Sequence, residues 1–274
     1  MQIPEKPQFI QAELTVSRKV YLTPHYIRIY LTGPQVDLFA DTTAGVNNKI
    51  LIPPEGVEKV HFPTYDYVDR RWVHQTESLR PVVRTYTHRG MDLGKKEIWI
   101  DFIAHGKEGP ASAWALSAGK GDKLGVLMKQ GKRMLYPRAQ HYILVGDATG
   151  IPVLAAILED LPAHVQGTCI LEVPDASDEQ ELHTRANINL IYLHNADPQQ
   201  GSHLSEALMG LELPGNTRFA YIAAEYASVK QMRQYLRQEQ GWKQEELYAY
   251  SYWKAGMAED ASAKDRQKEK TQST

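Results

Sequence analysis

The hydrophobic pattern changes its period part-way along the chain, and that switch limits the folds open to it. Up to about Pro137, apolar or alternating stretches are short: Phe9 to Val16, Tyr26 to Leu31, Asn48 to Ile52, Pro81 to Thr87, Ile98 to Ala104 and Lys123 to Leu127. Gly33-Pro34, Pro53-Pro54 and Lys120-Gly121-Asp122 punctuate them, as turns punctuate strands. One stretch, Ala111 to Ala118, reads as a helix. This pattern predicts an antiparallel barrel. Beyond Pro137, strand-like runs at His141 to Gly146, Thr168 to Val173, Asn189 to Leu193 and Phe219 to Ala223 alternate with helical stretches at Ile151 to Leu158, His203 to Met209 and Ser228 to Glu239. Alternation of that kind predicts a parallel sheet of βαβ units. The expected division is a β-barrel domain over 1–137, an α/β domain over 138–257 and a polar tail over 258–274. The tail reads as a solvated helix or a disordered segment.

Within the first part, Arg84-Thr85-Tyr86-Thr87 carries the most chemistry. Strand residues alternate faces, so Arg84 and Tyr86 point one way and Thr85 and Thr87 the other. A cation and a flat ring about 6 to 7 Å apart on one face suit a ligand with a pyrophosphate and a large planar ring. Arg forks onto phosphate oxygens, Tyr stacks on a ring, and a Thr hydroxyl or backbone amide reaches the ring edge. By itself the tetrapeptide is also an ordinary surface strand.

About twenty residues on, a short stretch adds to this reading. The alternating run Ile98-Trp99-Ile100-Asp101-Phe102-Ile103 leads into His105-Gly106-Lys107-Glu108-Gly109-Pro110-Ala111-Ser112. Strand, glycine-rich loop and a helix start with Pro in its first turn follow in order. Unpaired amides and the dipole at a helix N-terminus form an anion site, and Gly106 and Gly109 let backbone approach a phosphate.

Together these motifs resemble the siderophore-interacting protein, or ferric-siderophore reductase, family, a branch of the ferredoxin–NADP reductase superfamily. R-x-Y-T, D-F-I-x-H-G, G-P-A-S-x-W-A and Gly146-Asp147-Ala148-Thr149-Gly150-Ile151-Pro152 stand in the family's order, and the likeness runs from about residue 10 to about residue 260. It implies an FAD-binding β-barrel followed by a nucleotide-binding α/β domain. It implies that Arg84, Thr85, Tyr86, Thr87, Asp101, Phe102, His105, Gly106, Ala111 and Ser112 belong to the FAD site. Thr149 and Glu225 would stand near a nicotinamide nucleotide. Lys49 in Asn48-Lys49-Ile50-Leu51-Ile52-Pro53, Arg133 in Gly131-Lys132-Arg133, and Lys254 in Tyr252-Trp253-Lys254-Ala255-Gly256 fall where relatives bind the iron chelate. Converging cations would draw in an anionic chelate. Two departures from the family pattern are Asn48 beside Lys49, and Gln130-Gly131-Lys132-Arg133-Met134 in place of G-P-R-G-S.

In the second part, Gly146 to Gly150 closes the first strand, at the edge where open α/β sheets bind ligands. It is not G-x-G-x-x-G, and Asp147 and Thr149 would serve equally as helix caps. Ser228 could cap the next helix with Gln231 completing a capping box. Arg233 and Arg237 share a helix face at i, i+4, as solvated charges or as phosphate contacts. Relatives often carry Arg where Asn195 stands, so NADH, NADPH and reduced ferredoxin all remain open as donors.

Composition narrows the field. With 42% hydrophobic residues, 23% charged residues and a net charge of −2, the chain is globular and offers no basic surface for nucleic acid. No apolar run is long enough to cross a membrane, and the first residues lack a signal-peptide core. The single Cys169 excludes an intrachain disulfide and a cysteine-ligated iron–sulfur cluster within one chain. No histidine pair shows metal-ligand spacing. The expectation is a cytoplasmic flavin-dependent oxidoreductase, taking electrons from NADH, NADPH or ferredoxin and reducing a ferric siderophore. The alternatives are a general NAD(P)H:flavin or quinone oxidoreductase and a non-catalytic, flavin-containing siderophore-binding protein.

Overall fold

A computed structural model describes residues 8–74 and 76–257. The polar tail expected over 258–274 lies outside them. The chain divides into two compact units between Arg133 and Met134.

The first unit is a seven-stranded antiparallel sheet with one helix. In chain order it contains β1 (Phe9–Thr23), β2 (Tyr26–Thr32), β3 (Asn47–Ile52), the hairpin β4 (Thr64–Asp66) and β5 (Arg71–Val73), β6 (Val82–Thr87), β7 (Gly90–Asp92), β8 (Glu97–Ile103), α1 (Pro110–Ser117) and β9 (Lys123–Lys129). The sheet order is β6-β3-β9-β1-β2-β8-β7. Although β6 and β8 stand towards opposite ends of that order, the rings of Tyr86 and Phe102 lie 4.6 Å apart. The sheet therefore curls into a half-barrel, with Leu14, Ile27, Ile29, Ile50, Ile98 and Ile100 wholly buried.

Several elements of this and the second unit differ from the sequence expectation. β1 runs on past Val16 to Thr23. Its register shifts between Val16 and Arg18, and beyond that point the strand pairs with β2, with Val20, Tyr21 and Leu22 exposed and Thr23 buried. The β4–β5 hairpin has no clean apolar alternation. It is pinned from outside, by Phe9 against Trp72 at 4.9 Å and Tyr65 at 5.6 Å. The expected helix from Ser228 to Glu239 begins at Tyr226, stops at Gln234 and continues as one π turn over Tyr235–Glu239.

The second unit is a five-stranded parallel sheet in the order β12-β11-β10-β13-β14. Its elements are β10 (His141–Asp147), α2 (Ile151–Asp160), β11 (Gln166–Val173), β12 (Asn187–His194), α3 (Leu204–Met209), β13 (Arg218–Glu225), α4 (Tyr226–Gln234) and β14 (Leu247–Trp253). Strand β14 shows little of an apolar run, because tyrosine alternates there with Ala249 and Ser251. It is specified by pairing with β13. The chain leaves β10 outward to β11 and β12, then returns to the other side of β10 for β13. The β10/β13 junction is thus the topological switch point. Helix α2 can pack close to it because Gly146 and Gly150 have no side chain. A Cβ on Gly150 would lie 2.2 Å from the Ala223 carbonyl oxygen, and one on Gly146 2.8 Å from it. Cys169 is buried, and burial pushes its thiol well above the ordinary range, so it is an unreactive core residue.

In the half-barrel, Asp101 is 4% exposed and sits between two arginines. Arg28 donates to it through Nε (2.7 Å) and Nη2 (2.8 Å), and the Arg89 Nε lies 3.7 Å away. Removing one member of such a group deprives the others of an opposite charge inside the protein. Asp101→Ala is expected to lower unfolding free energy by about 3 to 5 kcal/mol in urea titration. Arg28→Met/Asp101→Leu should recover part of that loss, because it removes the more closely paired charges together and leaves only Arg89 without Asp101.

Candidate flavin and electron-entry sites

Strand β6 carries Arg84 and Tyr86 on one face, as alternation requires. Tyr86 pairs in register with Asn48 and Arg84 with Ile50, while Thr85 pairs with Lys49. On the other face the Lys49 ammonium donates to the Thr85 hydroxyl. Both Arg84 and Tyr86 are only partly buried. Behind Tyr86 stands Phe102, which is wholly buried and touches Trp114 of α1 at 5.5 Å between ring centres. One aromatic contact line therefore joins β6, β8 and α1. Thr87, at the end of the motif, is buried.

The loop from β8 to α1 is held by one hydroxyl. Ser112 Oγ accepts from the His105 amide (3.1 Å) and donates to the Gly106 carbonyl (2.7 Å). His105 packs beneath Gly109, where a Cβ would come within 2.6 Å of the imidazole. Gly106 has φ 98°, and nothing lies within 4 Å of where its Cβ would stand. Helix α1 begins at Pro110 with Gly109 as N-cap, and no described side chain caps it. Pro110 has no N–H, so the first-turn amides without an intrahelical carbonyl are those of Ala111 and Ser112.

This set fits FAD. An arginine and a tyrosine share a face, an aromatic support lies behind the tyrosine, and an uncapped helix start follows a glycine with open space before it. The donors suit phosphate oxygens and the tyrosine suits a planar ring. Phe102 supports this set from behind, while Asp101, its neighbour on β8, points to the opposite face, where Arg28 and Arg89 hold it. Arg133 and Lys132 are exposed, and the Arg133 amide donates to Thr43 Oγ1 at 2.9 Å.

In the second unit, the C-terminal edge of the sheet is held by its own side chains. Thr149 gives both its amide (2.8 Å) and its hydroxyl (2.5 Å) to Asp147 Oδ1. Glu225 caps α4 by accepting from the Ala227 and Ser228 amides. That corrects the expectation of Ser228 as N-cap with Gln231: Ser228 is a buried residue inside the first turn. Asn195 is likewise occupied, with its Nδ2 on Glu172 Oε2 at 3.1 Å and on the Gly201 carbonyl at 2.8 Å. Arg233 is no free surface charge; its Nη2 donates to the Ala249 carbonyl at 2.5 Å and ties α4 to β14. The sequence reading missed Asp147 as an organising residue. Its place at a strand end before Thr149 was the available signal.

His88, next after the R-x-Y-T motif, is wholly buried, with Nε2 3.3 Å from Thr42 Oγ1. Burial lowers its pKa to about 4. An unfolded histidine takes up a proton near pH 6.5, so the unfolded state binds more protons between pH 6.5 and 4. Stability that is full above pH 6.5 is expected to fall by about 3 kcal/mol as pH drops to 4. Denaturation of the wild type and His88→Gln across that window should show the slope shallower in the variant.

A family-wide sequence profile described as "Siderophore-interacting FAD-binding domain" matches residues 15–133, and one described as "Siderophore-interacting protein" matches 139–256. The ferric vibriobactin reductase ViuB of Vibrio cholerae serotype O1 is 30% identical over 251 residues, 91% of each chain. The siderophore-interacting protein SipS of Aeromonas hydrophila superposes with a TM-score of 0.80 at 30% identity, covering 95% of this chain and 98% of its own. A more distant likeness shows the fold alone: a ferredoxin NADP+ reductase from Neisseria gonorrhoeae, TM-score 0.60 at 13% identity, with 88% of this chain and 98% of that one covered. With a half-barrel that fits FAD, a parallel-sheet unit and relatives matched along nearly their whole length, the chain belongs to the siderophore-interacting protein family.

Proposed function

We propose that the protein is an FAD-dependent ferric-siderophore reductase, releasing iron inside the cell by one-electron reduction of the chelated Fe(III). The observation that carries this is the aromatic line from Tyr86 through Phe102 to Trp114 of α1, a helix whose start has no side-chain cap, with Arg84 on the same face of β6 as Tyr86. In this reading Arg84 and the Ala111 and Ser112 amides hold the pyrophosphate. Tyr86 orients the ring from its face, and Thr85 and Thr87 border it. His105 and Gly106 shape the loop, with Ser112 fixing it. When bound, FAD supplies the means to accept electrons in a pair from a donor and pass them on singly. In the first unit Lys49 and Arg133, and in the second unit Lys254, each offer a positive charge that favours an anionic chelate. Fe(II) fits the hard oxygen donors of a siderophore poorly and leaves.

The donor is NADH, NADPH or reduced ferredoxin. Asn195, where relatives often have Arg, is engaged with Glu172 and Gly201. That arrangement argues against a phosphate-reading cation at this position, and so favours a donor other than NADPH.

Anaerobic visible spectroscopy tests the whole reading. Flavin bands near 380 and 450 nm (~10 nm uncertainty) should bleach with one of the three donors and return on adding a ferric siderophore. A purified protein that is colourless and takes up no FAD would remove the proposal. Return of the bands with quinone but not with chelate would make it a general reductase. Arg84→Ala is expected to purify with several-fold less FAD; full occupancy would refute the role given to Arg84. Lys49→Ala should raise the concentration of an anionic ferric chelate needed for half-maximal reoxidation, by roughly tenfold, without changing FAD content.

A further inference from the structure

Asp147 ends β10 and Glu225 ends β13, so the two carboxylates flank the switch point where open α/β sheets take their ligands. Both carboxylates have partners from the segment at the end of β14. The Trp253 indole Nε1 donates to Asp147 Oδ2 at 2.7 Å. The Ala255 amide donates to Glu225 Oε1 at 3.2 Å, and the Gly256 amide to Gln199 Oε1 at 3.2 Å. Lys254 sets its ammonium 4.8 Å over the Tyr226 ring at the start of α4. It also bridges to Met257 across a turn in which Gly256 has φ 71°. Residues 253–257 thus leave the edge strand β14, cross the end of β13 and reach both β10 and the segment after β12.

We propose that Asp147 is the positioning residue for Lys254, acting through Trp253, and that the strap it latches stands where a pyridine nucleotide would enter the switch point. The first half rests on Lys254 as a chelate contact; the second does not. The reasoning is geometric. A lysine stem has several free torsions, so an ammonium is useful to a chelate only if its backbone is fixed. Here the residues on both sides are tied down, Trp253 to one strand end and Ala255 to the next. Asp147 is suited to the anchoring role because its other oxygen is held by Thr149. Its carboxyl cannot turn away to solvent. Burial raises its pKa above the usual carboxylate range, and the Thr149 and Trp253 hydrogen bonds work against that rise. The strap also has a cost for the sheet. Its contacts occupy the two carboxylates that an incoming nucleotide would meet at this edge.

A double-mutant cycle on the FAD-loaded protein tests this. Calorimetric binding of a ferric tris-catecholate would be measured for wild type, Trp253→Phe, Lys254→Ala and the double variant, and binding of NAD+ and NADP+ for wild type, Trp253→Phe and Asp147→Asn. Each single change should weaken chelate binding roughly tenfold, and the double variant should be no weaker than Lys254→Ala alone. NAD+ or NADP+ should bind several-fold more tightly to Trp253→Phe, with Asp147→Asn behaving alike. Additive losses in the cycle would overturn the positioning role. Nucleotide binding unchanged or weaker in both latch variants would overturn the strap. If Lys254→Ala binds chelate as well as wild type, the chelate role of Lys254 falls and takes the positioning role with it, and the nucleotide titrations then decide the strap alone. Asp147→Asn, nearly equal in size to the native residue, guards against a variant that merely fails to fold.

Discussion

An ionised carboxylate taken out of water must find hydrogen bonds inside the protein, and in this chain that requirement organises segments far from one another in sequence. Asp101 joins β8 to β2 through Arg28 and draws in Arg89 from beyond the R-x-Y-T strand. Glu172, at the end region of β11, takes the His203 amide at 2.7 Å and the Asn195 side chain, which fixes the connection into α3. Asp147 and Glu225 hold the segment after β14. These acids stand at or near strand ends, where backbone partners run out and loops must be tied back. The apolar core supplies the bulk of the stabilisation; the buried acids decide where the loops go.

The two units use small residues and aromatic rings for different ends. In the half-barrel, Tyr86, Phe102 and Trp114 brace the opposite reaches of an open sheet, which would otherwise splay. The same contacts join the R-x-Y-T strand through β8 to Trp114 of α1. In the parallel sheet, Gly146 and Gly150 permit a strand–helix turn to sit against the Ala223 carbonyl. Their glycine character is therefore required for packing, whatever ligand the edge receives. A glycine-rich turn at a strand end can thus be required by packing as readily as by a ligand. That is why the motif alone left both readings open.

Local pattern carried the architecture. The switch of period near Pro137 separated antiparallel strands from βαβ units, and alternation along β6 placed Arg84 and Tyr86 on a common face. The order of the motifs was sufficient for the family. Periodicity and turn chemistry are properties of neighbouring residues, so a single sequence records them. The β4–β5 hairpin and β14 escaped because their apolar content is incomplete, and partners distant in sequence, Phe9 and β13, complete it. The N-cap of α4 moved from Ser228 to Glu225 because a glutamate side chain can reach back to the amides two and three residues on, which the usual cap preferences do not favour.

What the sequence determined by itself was the kind of fold, the identity of the R-x-Y-T strand and the chemistry suited to a flavin dinucleotide, since each depends on residue type and short-range spacing. Only the tertiary structure decided the partners of the acids: Asp101 with Arg28 and Arg89, Asp147 with Thr149 and Trp253, Glu225 with Ala255. Asp147 and Trp253 lie 106 positions apart in the chain. No local pattern can signal a hydrogen bond formed only when β10, β13 and β14 have stacked side by side, because it is the sheet order that brings those residues together.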